Sequence, residues 1–437
     1  MLKLSVIGLG KLGLPLLALL AKSGYEVIGY DKNADLRAKL AAKEYNFQEP
    51  ELDDILNANS TNIHIVDSIE EAVTKSVVVF VIVPTPSDST MRFSNGYILE
   101  VLDEFSNALG QKTEYCILNI VSTVMPNSCV KEFIPRIENK SGKKVSVHFG
   151  LTYNPEFIAL GSVIKNMEYP DMHLIGSSDL SSGEVVEKIL RRMSKNAAQS
   201  MIMNLTEAEI VKISVNNFVT MKISFANMLM QLANKFENVN VDTITNAIGM
   251  DTRVGKKYLR AGTPYGGPCF PRDTRAMGAL FNEHSLSDAL PKTVGTMNDA
   301  HTNFLAEEVV LFARDNNLRK IGLIGLSYKE NSYVVDESPS IFLAKHLNKS
   351  NFEVLAWDPM IDFIPENGRR DILVLDTIED LLRDSEFVVL TRTISSKDLE
   401  LIVNFEGPLK VYDPWGQISF DKNSLHQIFQ PGRSLSR

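Results

Sequence analysis

Residues 2–31, LKLSVIGLGKLGLPLLALLAKSGYEVIGYD, fall into three parts. Residues 2–8 are a short apolar run with β-branched side chains, which suits a buried strand. A glycine turn and an apolar helix to about Ser23 follow. After Gly24, Glu26–Tyr30 form a second strand ending at Asp31. This is a β-α-β unit. The turn is Gly8-Leu9-Gly10-Lys11-Leu12-Gly13, a G-x-G-x-x-G that follows a strand and opens a helix, as a dinucleotide fingerprint requires. Gly8 allows the tight turn, Gly10 lets a pyrophosphate approach, and Gly13 lets helix and strand pack closely. The helix N-terminus favours the phosphate charge. A carboxylate at Asp31 is placed for ribose hydroxyls and repels a 2′-phosphate, so NAD is preferred to NADP. Gly8, Gly10, Lys11, Leu12, Gly13 and Asp31 are the candidate cofactor-binding residues.

Outward from this unit the pattern repeats. Val77–Val83 and Cys116–Ser122 are nearly unbroken apolar runs, as in a parallel sheet covered on both faces. From Thr206, with Glu209 three residues on as a capping box, no Gly or Pro appears until after Phe236. A helix of roughly 30 residues is expected, with shorter helices to about residue 315. A second α/β pattern starts at Lys320: strands at Ile321–Leu326, Phe352–Ala356 and Phe387–Leu390, and a helix at Ile341–Leu347. The fold class is therefore α/β, two Rossmann-like doubly wound domains joined by a long central helix and a helical middle domain. The boundaries expected are 1–203, 204–315 and 316–437. The polar tail from Pro431 is expected to fray.

Bulk properties narrow the function. The 437 residues exceed one ordinary core. A net charge of −9 with no dense Lys/Arg run argues against nucleic acid or an anionic membrane as partner. The apolar start is broken by Lys11 and three glycines, so it reads as strand, turn and helix rather than as a signal peptide. No segment reaches the length of a membrane span. Cys116, Cys129 and Cys269 lie in no disulfide or zinc spacing, and the seven histidines form no ligand pattern. No metal is expected, and a reducing cytoplasm fits.

Three further constellations could carry chemistry. Gly266-Gly267-Pro268-Cys269-Phe270-Pro271-Arg272-Asp273 puts a thiol where a helix begins. Pro271 suits the first turn, and a thiolate at a helix N-terminus is stabilised and reactive. Asp273, four residues on, could orient water or a base. Cys116 and Cys129 read as buried structural thiols. Lys212 and Asn216 are four apart on the long helix and share a face, so an ammonium and an amide could hold an oxyanion. Asn154-Pro155-Glu156-Phe157 sets a carboxylate between a proline and an aromatic, where its pKa could rise for general-base work.

In this order these pieces resemble the UDP-glucose/GDP-mannose dehydrogenase family over nearly the whole chain. Val83-Pro84-Thr85-Pro86, Ser122-Thr123-Val124, Gly249–Arg253, Gly325–Lys329 and Glu337-Ser338-Pro339 add to the likeness. The resemblance implies a four-electron oxidation with two NAD: alcohol to aldehyde, a thiohemiacetal on Cys269, a thioester, then hydrolysis to the acid. It implies that Lys212 and Asn216 stabilise the alkoxide-like oxygen, that Glu156 assists hydrolysis, and that Asp273 organises lysine and water. Thr85 and Thr123 would line the cofactor site, and Thr123 is counted with the catalytic set. Glu156, Phe157, Lys212, Asn216, Arg253 (reaching a partner subunit's substrate), Tyr265, Gly266 and Lys329 would bind the nucleotide sugar. The first domain would bind NAD, the middle one would dimerise through the long helix, and the last would hold the UDP-sugar. A homodimer or higher homo-oligomer follows.

Some positions depart from the family. Asp336 stands where an arginine is usual, Leu160 for a glutamate, Pro264 for a glycine, Pro268 for a serine, and Trp415 for an arginine. The family's usual acidic pair is missing at Tyr333–Val334. Two other readings remain. A two-electron β-hydroxyacid dehydrogenase would lack the cysteine loop and second α/β domain. A non-catalytic sugar-nucleotide-binding homologue would not need the cysteine. The Cys269–Thr274 run, with no histidine before Cys269, is closer to the UDP-glucose and GDP-mannose branches than to the branch acting on N-acetylated sugars. UDP-glucose is favoured, with GDP-mannose or a UDP-N-acetylhexosamine as the alternative.

Overall fold

The computed structural model describes residues 2–158, 160–361, 372–419 and 425–433. The chain forms two compact units, Met1–Ser214 and Val215–Arg437.

The first unit is built on eight strands: β1 (Lys3–Ile7), β2 (Glu26–Tyr30), β3 (Ile63–Ile65), β4 (Val78–Val81), β5 (Cys116–Ile120), β6 (Phe149–Tyr153), β7 (Met172–Ser177) and β8 (Gln199–Met203). Their order is β3-β2-β1-β4-β5-β6-β7-β8. The first six run parallel, and β7 pairs antiparallel with β6. β4 is buried along its whole length. Its side chains alternate between two cores: Val78 and Phe80 pack with the first helix, Gly13–Lys22, while Val79 and Val81 pack with Gly96–Gln111. A sheet covered on both faces needs apolar residues on every strand position, which is why these strands read as unbroken apolar runs.

The second unit opens with most of the long helix and closes on six strands: β9 (Lys320–Ile324), β10 (Glu353–Trp357), β11 (Leu373–Val374), β12 (Phe387–Leu390), β13 (Lys410–Tyr412) and β14 (Gln427–Phe429). All pairs are parallel, in the order β11-β10-β9-β12-β13-β14. In both sheets the strand order reverses between the first and fourth strands in chain order, the point where doubly wound sheets bind ligands. The turn after β9 repeats the turn after β1. Gly8 has φ +93° and Gly325 φ +98°. Leu9 N donates to Asp31 Oδ2 at 2.7 Å, and Leu326 N donates to Asp358 Oδ2 at 2.8 Å.

Two expectations are corrected. The central helix, Leu205–Ala233, has 29 residues, but its capping box is not Thr206/Glu209. Asn204 Oδ1 accepts from Glu207 N at 2.9 Å, and Asn204 N donates to Glu207 Oε2 at 3.1 Å. Asn caps as well as Thr, and two residues earlier the same spacing occurs. Glu209 instead faces inward, fully buried, accepting from Asn127 N at 2.6 Å and Cys129 N at 2.9 Å. The tail does not fray at Pro431. Arg433 is 5% exposed and bidentate on Asp242, at 2.6 and 2.9 Å, because a charge-assisted fork holds it to the helix Val241–Met250. Residues 434–437 lie outside the described residues.

Candidate active site

In the first unit the candidate residues follow the carboxyl ends of β1, β2, β4, β5 and β6, with Lys212 on the central helix. Gly8 and Gly13 are required by the protein's own packing: a Cβ would lie 2.3 Å from Ile82 O at Gly8 and 1.8 Å from Gly8 O at Gly13. At Gly10 a Cβ would meet nothing within 4 Å. Its bareness faces open space, as a site for a ligand's pyrophosphate should. Asp31 braces the turn, accepting from Leu9 N and, through Oδ1, from Asn33 N at 2.8 Å. A carboxylate has about four acceptor sites, so capacity remains for ribose hydroxyls. These residues fit NAD.

Beside them, Ser122 Oγ accepts from Val83 N at 2.8 Å and donates to Val83 O at 2.6 Å. Thr85 Oγ1 donates to Thr123 O at 2.8 Å, so these two threonines are neighbours. After β6, buried Asn154 donates from its amide to Leu174 O at 3.0 Å and from its backbone N to Ile120 O at 2.9 Å. That fixes the turn carrying Glu156. Lys212 is 6% exposed. Its Nζ donates to Glu156 O at 2.7 Å and lies 4.4 Å from the centre of the Phe157 ring. Burial pushes the Glu156 carboxyl up to about 7, against the opposing pull of the Lys212 ammonium. Cys116 and Cys129 are buried, and burial pushes both thiols up, Cys116 to about 12.

In the second unit Cys269 occupies the N-cap of the helix Phe270–Glu283, with a proline in its first turn. It is exposed, although Pro264–Gly267 before it is buried. Asp273 N donates back to Cys269 O at 2.8 Å. Asp273 is 1% exposed. Its Oδ2 accepts from Asn216 Nδ2 at 2.6 Å, and its carbonyl accepts from Asn217 Nδ2 at 3.1 Å. Asp273 Oδ1 is buried and ion-paired with Arg272 Nε at 3.5 Å, but accepts no hydrogen bond among the described residues, where such an atom normally does. Gly266 and Gly267 are needed for close packing: a Cβ would lie 2.2 Å from Glu337 O and 2.4 Å from the Tyr328 ring, respectively. Tyr265 is buried, and its phenol is pushed up to about 12 by that burial. Arg253 is exposed and paired with Asp251 at 2.6 Å. Lys329 follows the β9 turn, its carbonyl accepting from Ser327 Oγ at 2.9 Å.

Comparison with known proteins gives the family. The family models of the UDP-glucose/GDP-mannose dehydrogenases match in three consecutive parts: the NAD-binding domain over residues 2–194, the central domain over 206–300 and the UDP-binding domain over 322–402. The chain belongs to the UDP-glucose/GDP-mannose dehydrogenase family. It is an NAD-dependent nucleotide-sugar dehydrogenase, an oxidoreductase. A UDP-glucose 6-dehydrogenase of Rickettsia felis is 26% identical over 94% of this chain and 89% of its own length. A GDP-mannose 6-dehydrogenase of Pseudomonas aeruginosa is 28% identical over 89% and 91%. The solved UDP-glucose dehydrogenase of Pyrobaculum islandicum is 26% identical, with a TM-score of 0.86 over 99% of this chain and 98% of that one.

Sequence reasoning about the dehydrogenase missed Asn217, which shares Asp273 with Asn216. A second amide directly after the first was the available signal. Among the departures, Asp336 is exposed and Leu160 packs against the first unit's core. Trp415 lies against Gly262, where a Cβ would come within 2.4 Å of its ring. Its carbonyl accepts from Arg260 Nη2 at 2.7 Å. The indole therefore packs against the loop leading to Cys269. Among the described residues no helix is long and apolar enough to cross a membrane.

Proposed function

We propose that this dehydrogenase oxidises the C6 alcohol of a nucleotide sugar, UDP-glucose by preference, to the uronic acid in a four-electron reaction through Cys269. The observation that carries the reading is the exposed thiol at a helix N-terminus, one turn before a buried Asp273 that is hydrogen-bonded to Asn216. NAD, held by the turn at Gly8–Gly13, Asp31, Thr85 and Thr123, would supply the hydride acceptor, one molecule for each oxidation.

Lys212 and Asn216, one turn apart on the central helix, hold the C6 oxygen and stabilise its negative charge as the alcohol proton leaves. Loss of a hydride from C6, which the first NAD would accept, gives the aldehyde. The Cys269 sulfur then adds to the aldehyde carbon. The carbonyl electron pair moves to oxygen, which takes a proton and gives the thiohemiacetal. Loss of a hydride from that carbon and a proton from its hydroxyl leaves the thioester. Covalency splits one hard oxidation into two accessible ones. Water attacks the thioester carbon while the Glu156 carboxylate takes its proton; the carbon–sulfur bond breaks and the thiolate leaves. Asp273 Oδ1, free of hydrogen bonds among the described residues, is suited to orient that water. Phe157, Arg253, Tyr265, Gly266 and Lys329 complete the substrate side of this reading.

UDP-glucose is preferred because the chain matches a UDP-binding domain and because UDP-glucose 6-dehydrogenases stand among its relatives. The three-part division at 203/204 and 315/316, a homodimer built on the central helix and a cytoplasmic setting belong to the same proposal.

The test is the number of NADH formed per sugar, read at the nicotinamide absorbance, with UDP-glucose, GDP-mannose and UDP-N-acetylhexosamines in turn. Two per sugar with UDP-glucose supports the reading; two with another sugar moves the substrate and keeps the chemistry. One per sugar points to a two-electron dehydrogenase, and none to a binding homologue. Cys269→Ala should abolish acid formation, and full turnover in that variant would overturn the covalent route.

A further inference from the structure

The loop leading to Cys269 is held by side chains to which the reaction above gives no part. Gly262 N donates to Asn227 Oδ1 at 3.0 Å, and Asn227 Nδ2 donates to Thr263 O at 3.4 Å. His301 Nε2 lies 2.8 Å from Gly262 O. Tyr265 N donates to Asn298 Oδ1 at 2.9 Å, while Asn298 Nδ2 donates to Tyr265 O at 3.0 Å. One asparagine thus closes both backbone groups of a single residue, as a neighbouring strand would. Asn227 sits on the central helix; Asn298 and His301 sit on the helix Ala289–Asp315.

The His301 tautomer is fixed by its neighbours. Its Nδ1 is 2.9 Å from Gln231 Nε2, an amide nitrogen that donates, so Nδ1 accepts and Nε2–H donates to Gly262 O. His301 is 1% exposed, and burial pulls its pKa down to about 4, so the arrangement holds across the working range. Packing alone does not fix the loop. Beside Tyr265 lies a cavity of about 350 Å³ bordered by Pro271, Thr274, Arg275 and Glu337. Buried backbone groups need partners, and here the partners are side chains anchored on rigid helices. Such second-layer support is what keeps a reacting group within the small tolerance that catalysis demands.

We propose that Asn298 and His301 are positioning residues for Cys269: by fixing the backbone of residues 262–265 they set the direction and reactivity of the thiol without touching substrate. This rests on Cys269 being the nucleophile. The experiment uses the full chain and two readouts. The first is the pH profile of Cys269 alkylation by iodoacetamide, followed by peptide mass; buried Cys116 and Cys129 serve as slow internal controls. The second is kcat and KM for the nucleotide sugar that proves active.

In Asn298→Ala the alkylation profile should move away from that of the wild type. Its kcat should fall on the order of 100-fold, with KM changed less than about threefold. His301→Gln, which keeps an amide donor for Gly262 O, should retain most of the activity that His301→Leu loses. Should Asn298→Ala fail to fold, Asn298→Asp, which keeps the acceptor for Tyr265 N, provides the same comparison. Wild-type alkylation and kcat in these variants would overturn the proposal, and so would equal losses in His301→Gln and His301→Leu. A shifted alkylation profile in a protein inactive on every sugar would uphold the positioning role and sink the proposed function instead.

Discussion

Glu156 combines two opposed influences: burial lifts its carboxyl to about 7, and the Lys212 ammonium restrains the rise. As the proposed base for thioester hydrolysis it must be ionised, so kcat of the wild type should climb as pH passes through about 7. Glu156→Gln should lose that limb and at least about 100-fold in acid formation, which a pH–rate profile measures. The same shift predicts a stability effect of definite sign. The folded pKa lies above the unfolded value, so the stabilisation is complete below about 4.5 and is lost as pH rises through about 7. Glu156→Gln should therefore gain on the wild type between pH 5 and pH 9, by up to about 3 kcal/mol. Equal stability differences in urea at both pH values would refute this. Glu156, Lys212 and Cys269 were legible because each breaks its local pattern: a carboxylate against an aromatic, an ammonium on an apolar helix face, a thiol among Gly and Pro. Asn298 and His301 were not, since a single polar residue within a helix carries no sign of which distant loop it will meet.

The glycine turn after β1 makes the next two predictions, and they differ because the space around each glycine differs. Gly13→Ala forces a Cβ to within 1.8 Å of Gly8 O, a backbone atom that cannot swing aside. It should destabilise the first unit by about 3 kcal/mol and remove cofactor binding with it. Gly10→Ala meets nothing within 4 Å. It should leave the thermal midpoint unchanged yet weaken NAD at least about tenfold, measured by calorimetric titration. Equal NAD affinity in Gly10→Ala and wild type would remove the turn from the cofactor site. The elements themselves were largely readable: β2 and β12 coincide with the runs Glu26–Tyr30 and Phe387–Leu390, because a strand buried on both faces leaves no ambiguity of period. The cap of the central helix was not, since Asn204/Glu207 and Thr206/Glu209 offer the same chemistry at the same spacing. Only tertiary structure settles that Glu209 turns inward to Asn127 and Cys129. Nor did sequence reveal how differently the two similar turns are used. Asp31 keeps acceptor capacity, whereas Asp358 takes Leu326 N, both donors of Ser327, Met360 N and the buried Arg392 guanidinium. Its Oδ2 is fully engaged, and Oδ1 already holds Met360 N.

For the whole molecule, two α/β sheets and a long helix were foreseeable from alternating apolar runs and one uninterrupted helical stretch, whereas assembly depends on which helix face the single chain leaves uncovered. Ile210, Phe218, Phe225, Met228 and Leu232 are 40–59% exposed along the central helix. At 3.6 residues per turn their spacings of eight, seven, three and four residues place them within roughly 80° of arc. A soluble helix ordinarily presents polar residues to water, and a continuous apolar stripe this long is the kind of surface the proposed dimer would cover. A second copy packing the same face by two-fold symmetry would bury it in both chains at once. Sedimentation velocity at micromolar concentration should therefore find at least a dimer. Phe218→Glu with Phe225→Glu should release the 48.7 kDa chain as a monomer with its helical circular dichroism intact, because both rings project outward and neither belongs to a core cluster. A wild type that sediments as a monomer would leave the stripe unexplained and the proposed dimer without support.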